Sequence, residues 1–310
     1  TAFLNAPYAV EGEILFLIPP KVYVKTGLIK ETEVWQVNKA IYGLKEAPLL
    51  WAKERDRRLK ELTVKVPKVS GEGGEDRYHL CRLESDVNTW HILKEGKEGR
   101  EGADKKVEGI MLTYVDDILV ATTERLAKAF MQAIDDLWTC SPEDVVKIGS
   151  PPVNFCGIAI ERTATGYFIQ QRSYVKDLLK KHRLEDCNST KILLDKETDD
   201  SEKIDEDSDE WKKWKESPEF LKQVREAQKI AGEILWLSTR TRPDLCYPIQ
   251  RMTSLATKDP ERAVKFGYRI LRYLKGTEGY GLRYDNTEAT KKKFKEVAED
   301  WPQEVFDARR

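Results

Sequence analysis

Asp116 and Asp117 are the residues of this chain best suited to chemistry. With Tyr114 and Val115 they stand between two apolar runs, 107–114 (VEGIMLTY) and 118–122 (ILVAT), so the sequence predicts a β-hairpin with these four residues at its tip. Such a tip breaks a local rule. Tight hairpin turns favour Gly, Asn or Asp where φ is positive, and a β-branched Val is disfavoured there. A rule broken at one spot tends to mark function or strain. Adjacent carboxylates also repel each other unless a cation sits between them. One reading is a divalent-cation site for phosphoryl transfer, with oxygen ligands holding Mg²⁺ against a triphosphate. The other is an exposed acidic turn, and an Asp-Asp pair alone does not choose between them.

The elements that must position this pair can be read from pattern. A helix is expected at about 124–138, with Leu126, Phe130, Ala133 (or Ile134) and Leu137 on one face and Thr123 as its cap. Another should follow Pro48 through Trp51, Arg55, Arg58 and Leu59, and a third spans 173–184 with Tyr174 and Leu178 inward. Asp259-Pro260-Glu261 is a strong helix start, with a capping Asp, Pro at the first position and Glu in the first turn. Residues 66–77 and 95–106, rich in Gly, Glu and Lys, read as exposed loops. Residues 195–216 read as a solvated acidic linker dividing an N-terminal unit from a C-terminal helical one. Strands and helices mix through residue 160, and helices dominate afterwards. The fold class is α+β.

A contact with nucleic acid can also be argued from pattern. Arg262, Lys265, Arg269, Arg272 and Lys275 recur at helical spacing, while Ala263, Phe266, Ile270 and Leu274 share another face. Between Arg240 and Lys275 nine basic residues meet three acidic ones, although the whole chain carries a net charge of −1. That stripe could follow a phosphate backbone or be a solvated helix face. Trp51, Trp90 and Trp236 read as core. The five cysteines are odd in number without CxxC spacing, and the three histidines are scattered, which argues against a disulfide scaffold or a zinc module and for a reducing compartment. No apolar run approaches the ~18 residues of a membrane span.

With these residues in view, the chain resembles the reverse transcriptase of copia-type (Pseudoviridae) LTR retrotransposons, from Thr1 to about Tyr284. Thr1-Ala2-Phe3-Leu4-Asn5-Ala6 is similar to the tail of the first polymerase motif, and Asn38 through Pro48 with Trp51 to the nucleotide- and template-facing motif. Tyr114-Val115-Asp116-Asp117 is similar to the metal-binding hairpin, and Phe155-Cys156-Gly157-Ile158 to the primer grip. Thr241-Arg242-Pro243-Asp244-Leu245 and Arg269 through Thr277 are similar to the C-terminal helical region. One such motif is weak; five in order are strong.

The resemblance implies a right-hand polymerase: fingers and palm over 1–150, primer grip and start of thumb over 151–190, and an acidic linker over 191–225. A helical thumb and connection over 226–285 and an unassigned charged tail over 286–310 complete it. It implies RNA-directed DNA synthesis, with dNTPs added to a primer 3′-OH with two Mg²⁺ ions, or Mn²⁺ in their place. Asp116 and Asp117 would be the metal ligands, while Tyr114, Val115, Tyr42, Gly43 and Lys45 would lie by the nucleotide. Phe3 would be the aromatic gate against a ribose 2′-OH; without the resemblance it reads as core. Phe155, Cys156 and Gly157 would grip the primer, and Arg262, Lys265, Arg269 and Arg272 the nucleic-acid backbone. Glu46 stands where the family usually has glutamine, an unfavourable carboxylate near phosphates. Cys156 replaces a common leucine and is expected to be similarly buried. The family's third aspartate lies three residues before the position of Thr1, so the 310-residue chain is expected to be a fragment, poorly soluble or partly unfolded, and inactive on its own. The implied partners are primed RNA or DNA template and the remaining polyprotein (ribonuclease H, integrase), with no membrane. The implied setting is a cytoplasmic virus-like particle with a nuclear phase. The alternative is a catalytically dead nucleic-acid-binding remnant of a decayed retroelement. A metal hydrolase finds no support in histidines or further clustered acids.

Overall fold

The computed structural model describes residues 2–8, 14–68, 74–96, 106–191 and 208–299. The chain divides into two units, Thr1–Glu143 and Asp144–Arg310. That division falls ahead of the acidic stretch, so the strands after residue 150 belong with the later helices. Both units mix helices with antiparallel sheet.

Unit 1 opens with a 3-10 helix, Ala2–Asn5. A small ribbon of β1 (Phe16–Leu17) and β2 (Trp35–Gln36) flanks α1 (Lys21–Lys25). Next come α2 (Ala47–Glu61), β3 (Thr63–Pro67), β4 (Glu75–Arg82), β5 (Thr89–Lys94), β6 (Val107–Tyr114), β7 (Asp117–Ala121) and α3 (Glu124–Leu137). The five strands β3 to β7 form an antiparallel meander in sequence order. Helix α2 starts with Pro48 in its first turn, where a missing N–H costs nothing, and buries Ala47, Trp51, Arg55 and Leu59 at four-residue spacing. Helix α3 buries Leu126, Phe130 and Ile134, so Ile134 rather than Ala133 fills the core position. Thr123 caps that helix in position only, since its side chain makes no cap hydrogen bond. These helices share one core with Val64, Val66, Tyr78, Leu80, Trp90, Ile92 and Met111.

Both described ends of the expected loop at 66–77 are strand, paired with each other. Lys65 pairs with Arg77 and Val66 with Asp76, and Val66 and Tyr78 are buried. The alternation of Val64 and Val66 with Lys65 is a half-buried strand; the charged residues that suggested a loop are its solvent face. Residues 69–73 and most of the second expected loop, 97–105, lie outside the described residues.

Unit 2 contains β8 (Val153–Phe155), β9 (Ile158–Arg162), β10 (Gly166–Gln170) and β11 (Gly281–Asp285), in the antiparallel order β11-β10-β9-β8. Its helices are α4 (Arg172–Lys181), α5 (Asp209–Lys215), α6 (Pro218–Ser238), α7 (Cys246–Leu255), α8 (Pro260–Gly276) and α9 (Glu288–Glu299). Helices α6, α7 and α8 pack on one another, and α4 packs on α8. Gly267 permits this closeness: a Cβ there would lie 2.7 Å from Met252 Cε and 2.8 Å from Ile230 Cγ2. The Asp259 cap is realised, its carboxylate accepting from the Arg262 N–H at 3.1 Å. The latter part of the expected acidic linker is instead helical. Ser208 accepts from the Trp211 N–H to open α5, whose acids lie in the first turn and whose lysines lie in the last, complementing the helix dipole. Residues 192–207 lie outside the described ones.

Candidate metal and nucleotide site

Strands β6 and β7 pair from Ile110 with Ala121 down to Tyr114 with Asp117, leaving Val115 and Asp116 as a two-residue turn. Val115 has φ 52°, the left-handed value that the first central position of such a turn can require and where Gly is favoured. A β-branched residue held there costs on the order of 1–3 kcal/mol. The rule that the sequence breaks is therefore a real backbone feature. Tyr114, Val115, Asp116 and Asp117 are all exposed. Among the described residues no group of three His, Cys, Asp or Glu forms a metal cluster.

Two further segments converge on the hairpin's unit. The 3-10 helix Ala2–Asn5 packs on α2, the Ala40 N–H donates to the Ala6 carbonyl at 3.0 Å, and the Tyr8 N–H donates to the Asn38 carbonyl at 3.0 Å. Phe3 and Tyr42 thereby come into ring contact, centroids 4.7 Å apart. Phe3 is half-buried against the edge of the core and Tyr42 is exposed, so the pair reaches from core to surface. Gly43 has φ 97° with open space where a Cβ would point, a turn that needs glycine's freedom. Lys45 is exposed, and the half-buried Glu46 occupies the N-cap position of α2 without a side-chain cap bond.

Helix α2 joins these segments to the hairpin. The Trp51 indole N–H donates to the Val115 carbonyl at 2.7 Å, and its ring meets Trp138 edge-on at 5.4 Å. One turn later the buried Arg55 holds Asp56 at 2.9 Å and reaches the Asn88 side chain at 3.4 Å. The Asn88 carbonyl accepts the Thr113 N–H and hydroxyl at 2.9 and 3.2 Å. Trp51 read as plain core from sequence. Its hydrogen bond spans 64 residues, and the only local signal was the need of a buried indole N–H for a partner. On the same helix, hydrogen bonding from Arg57, and then from Arg58, holds the Glu54 carboxyl down at about 2.

The remaining expected site residues lie in unit 2. Phe155 and Ile158 pair across a two-residue turn in which Cys156 and Gly157 have φ 51° and 75°, so the expected primer grip is a hairpin tip. Cys156 is only half-buried there, because a turn position cannot sink into a core as a leucine replacement was expected to do. In the basic stripe of α8, Lys265 pairs with Glu261 at 2.7 Å, and Arg272 donates to the Asn188 carbonyl at 2.8 Å. Arg262 and Arg269 also have partners. The Lys265 pair is exposed, and such pairs are weak enough to open to a phosphate.

The Thr241–Leu245 segment proves to be a clasp. Buried Arg242 grips Asp244 at 3.0 and 2.8 Å and donates to the Thr277 carbonyl and hydroxyl at 3.0 and 2.8 Å. The Tyr273 and Tyr280 rings lie against its guanidinium at 5.5 and 5.3 Å. Burial pushes the Asp244 carboxyl up, but the Arg242 hydrogen bonds and charge prevail and leave it below its ordinary value.

Neither a family model nor a solved structure matches the chain. It is 25% identical over 288 residues to the transposon Ty5-1 protein of Saccharomyces cerevisiae, covering 92% of this chain and 77% of that protein. It is 26% identical over 257 residues to the retrovirus-related Pol polyprotein from transposon RE1 of Arabidopsis thaliana, and 24% identical over 289 residues to that from transposon TNT 1-94 of Nicotiana tabacum. The chain spans only 14% and 18% of those two polyproteins, with 80% and 90% of its own length aligned. Along most of its length, then, the chain is a distant relative of retrotransposon Pol polyproteins and of the Ty5-1 protein.

Proposed function

We propose that the chain is the RNA-directed DNA polymerase segment of a copia-like retrotransposon polyprotein. The observation that carries this reading is the convergence of three segments distant in sequence. Phe3 touches Tyr42, and Trp51, nine residues after Tyr42, holds the peptide next to Asp116 and Asp117. The distant relation to Pol polyproteins supports it.

In this reading unit 1 supplies palm and fingers, and unit 2 supplies primer grip, thumb and connection. Two carboxylates on an exposed turn suit Mg²⁺, which takes hard oxygen ligands and commonly binds through one or two carboxylates plus substrate phosphates. Once bound, Mg²⁺, or Mn²⁺ in its place, supplies charge stabilisation on the phosphoryl oxygens. Asp116 and Asp117 provide oxygen ligands. The Phe3–Tyr42 ring pair bounds the sugar of a dNTP, Gly43 keeps that surface free of a side chain, and Lys45 offers charge to the triphosphate. The Phe155–Gly157 hairpin and the α8 stripe contact the primed template. Ribonuclease H and integrase segments of the polyprotein, within a virus-like particle, complete the setting.

A specific observation favours a second reading, a dead nucleic-acid-binding remnant. Glu46 sets a carboxylate at the α2 start, in the nucleotide-facing segment. Magnesium-dependent extension of a DNA primer on an RNA template by the polyprotein product containing this segment separates the two. Extension is expected, with Asp116→Asn abolishing it while primer–template affinity stays nearly unchanged. No extension by the unsubstituted protein would leave the remnant, and full activity in Asp116→Asn would remove the metal assignment.

A further inference from the structure

We infer that Trp51 is a positioning residue for the Asp116 and Asp117 carboxylates, acting through its indole hydrogen bond to the strained Val115 peptide. As a statement about metal ligands it rests on the polymerase reading; as a statement about the hairpin it stands by itself. The Val115 carbonyl belongs to the peptide that leads into Asp116, so fixing that oxygen fixes the plane from which the Asp116 Cα departs. Val115 does not favour φ 52° unaided. The turn therefore needs an external hold, and the 2.7 Å bond from Trp51 supplies one.

The donor is itself rigid. Trp51 is 5% exposed, wedged against Trp138, and rooted in a helix that buries a residue every four positions. Water cannot readily replace a carbonyl partner for so buried an N–H. Arg55, through Asn88 and Thr113, gives the same helix a second hold at the end of β6. One helix thus holds the hairpin at its turn and again, through Asn88, two residues before it. A loose tip would let both carboxylates wander by more than a metal site tolerates.

The test uses the 310-residue chain and three variants: Trp51→Phe, which keeps an aromatic ring and removes the N–H; Val115→Gly, which removes the strain; and both together. Hydrogen exchange is followed in the peptide covering 111–119, with Mn²⁺ affinity as a second readout. In Trp51→Phe, exchange at the tip should quicken at least about tenfold and Mn²⁺ binding weaken about as much, since a lost buried hydrogen bond is worth that factor. Glycine at 115 should restore slow exchange in the double variant, which a purely packing role for Trp51 would not do. Unchanged exchange in folded Trp51→Phe, or no rescue by glycine, overturns the inference. Should Trp51→Phe fail to fold, the indole proton of Trp51 in the unsubstituted chain decides. Slow exchange with solvent supports the bond, and free exchange overturns it. Tip exchange that responds to Trp51→Phe without any Mn²⁺ binding would remove the metal reading while leaving the positioning role intact.

Discussion

Phe3 shows how a single residue changes meaning with its neighbours. From composition it is one more apolar side chain, yet it is half-buried and its ring lies 4.7 Å from that of the exposed Tyr42. A ring so placed can bound a sugar. If the polyprotein product containing this segment extends primers, Phe3→Ala should raise ribonucleotide incorporation relative to dNTPs, measured by competing the two; unchanged selectivity would return Phe3 to a packing role. The place of Asp116 and Asp117 at the turn end of a hairpin was legible because its apolar flanks are local. The strain at Val115 was legible for the same reason, since it follows from a β-branched residue at a turn position. The hydrogen bond of Trp51 was not legible, because its acceptor is a backbone oxygen in another element.

At the scale of elements, the periodic segments declared themselves. Helices α2, α3 and α8 carry their apolar stripes, and Asp259-Pro260 marks a start that the structure reproduces. Other elements escaped, some because charge masked their pattern and some because their partner was distant. The β3–β4 hairpin hides a two-residue alternation among lysines and acids, and α5 lies in an acidic run whose Ser208 cap outweighs its composition. Strand β11 pairs with β10, more than a hundred residues earlier, and nothing local announces that pairing. The Arg242–Asp244 clasp belongs to this scale too, since it ties the α6–α7 connection to the end of α8. Asp244 titrates in the folded state below its ordinary value of 3.8. Its contribution to stability is therefore complete above that value and lost as pH falls through the folded one. Thermal melting of unit 2 should weaken below about pH 4. Asp244→Asn should flatten part of that acid dependence and lower stability at neutral pH; identical acid profiles for the two proteins would show that the clasp does not couple to folding.

For the whole molecule, each unit has its own buried core, one around Trp90, Phe130 and Met111 and the other around Ile230, Phe266 and Ile270. The three segments assigned to metal and nucleotide all fall in the first, and the two assigned to primer and duplex in the second. The polymerase reading requires Asp116 and Asp117 to hold a divalent ion beside the Phe3–Tyr42 surface. Paramagnetic broadening by Mn²⁺ in the presence of a dNTP, read residue by residue in NMR spectra, tests it most directly. Broadening should centre on residues 114–118, reach Phe3 and Tyr42, and vanish in Asp116→Asn. Broadening spread evenly over the acidic surface, or unchanged by Asp116→Asn, would contradict it.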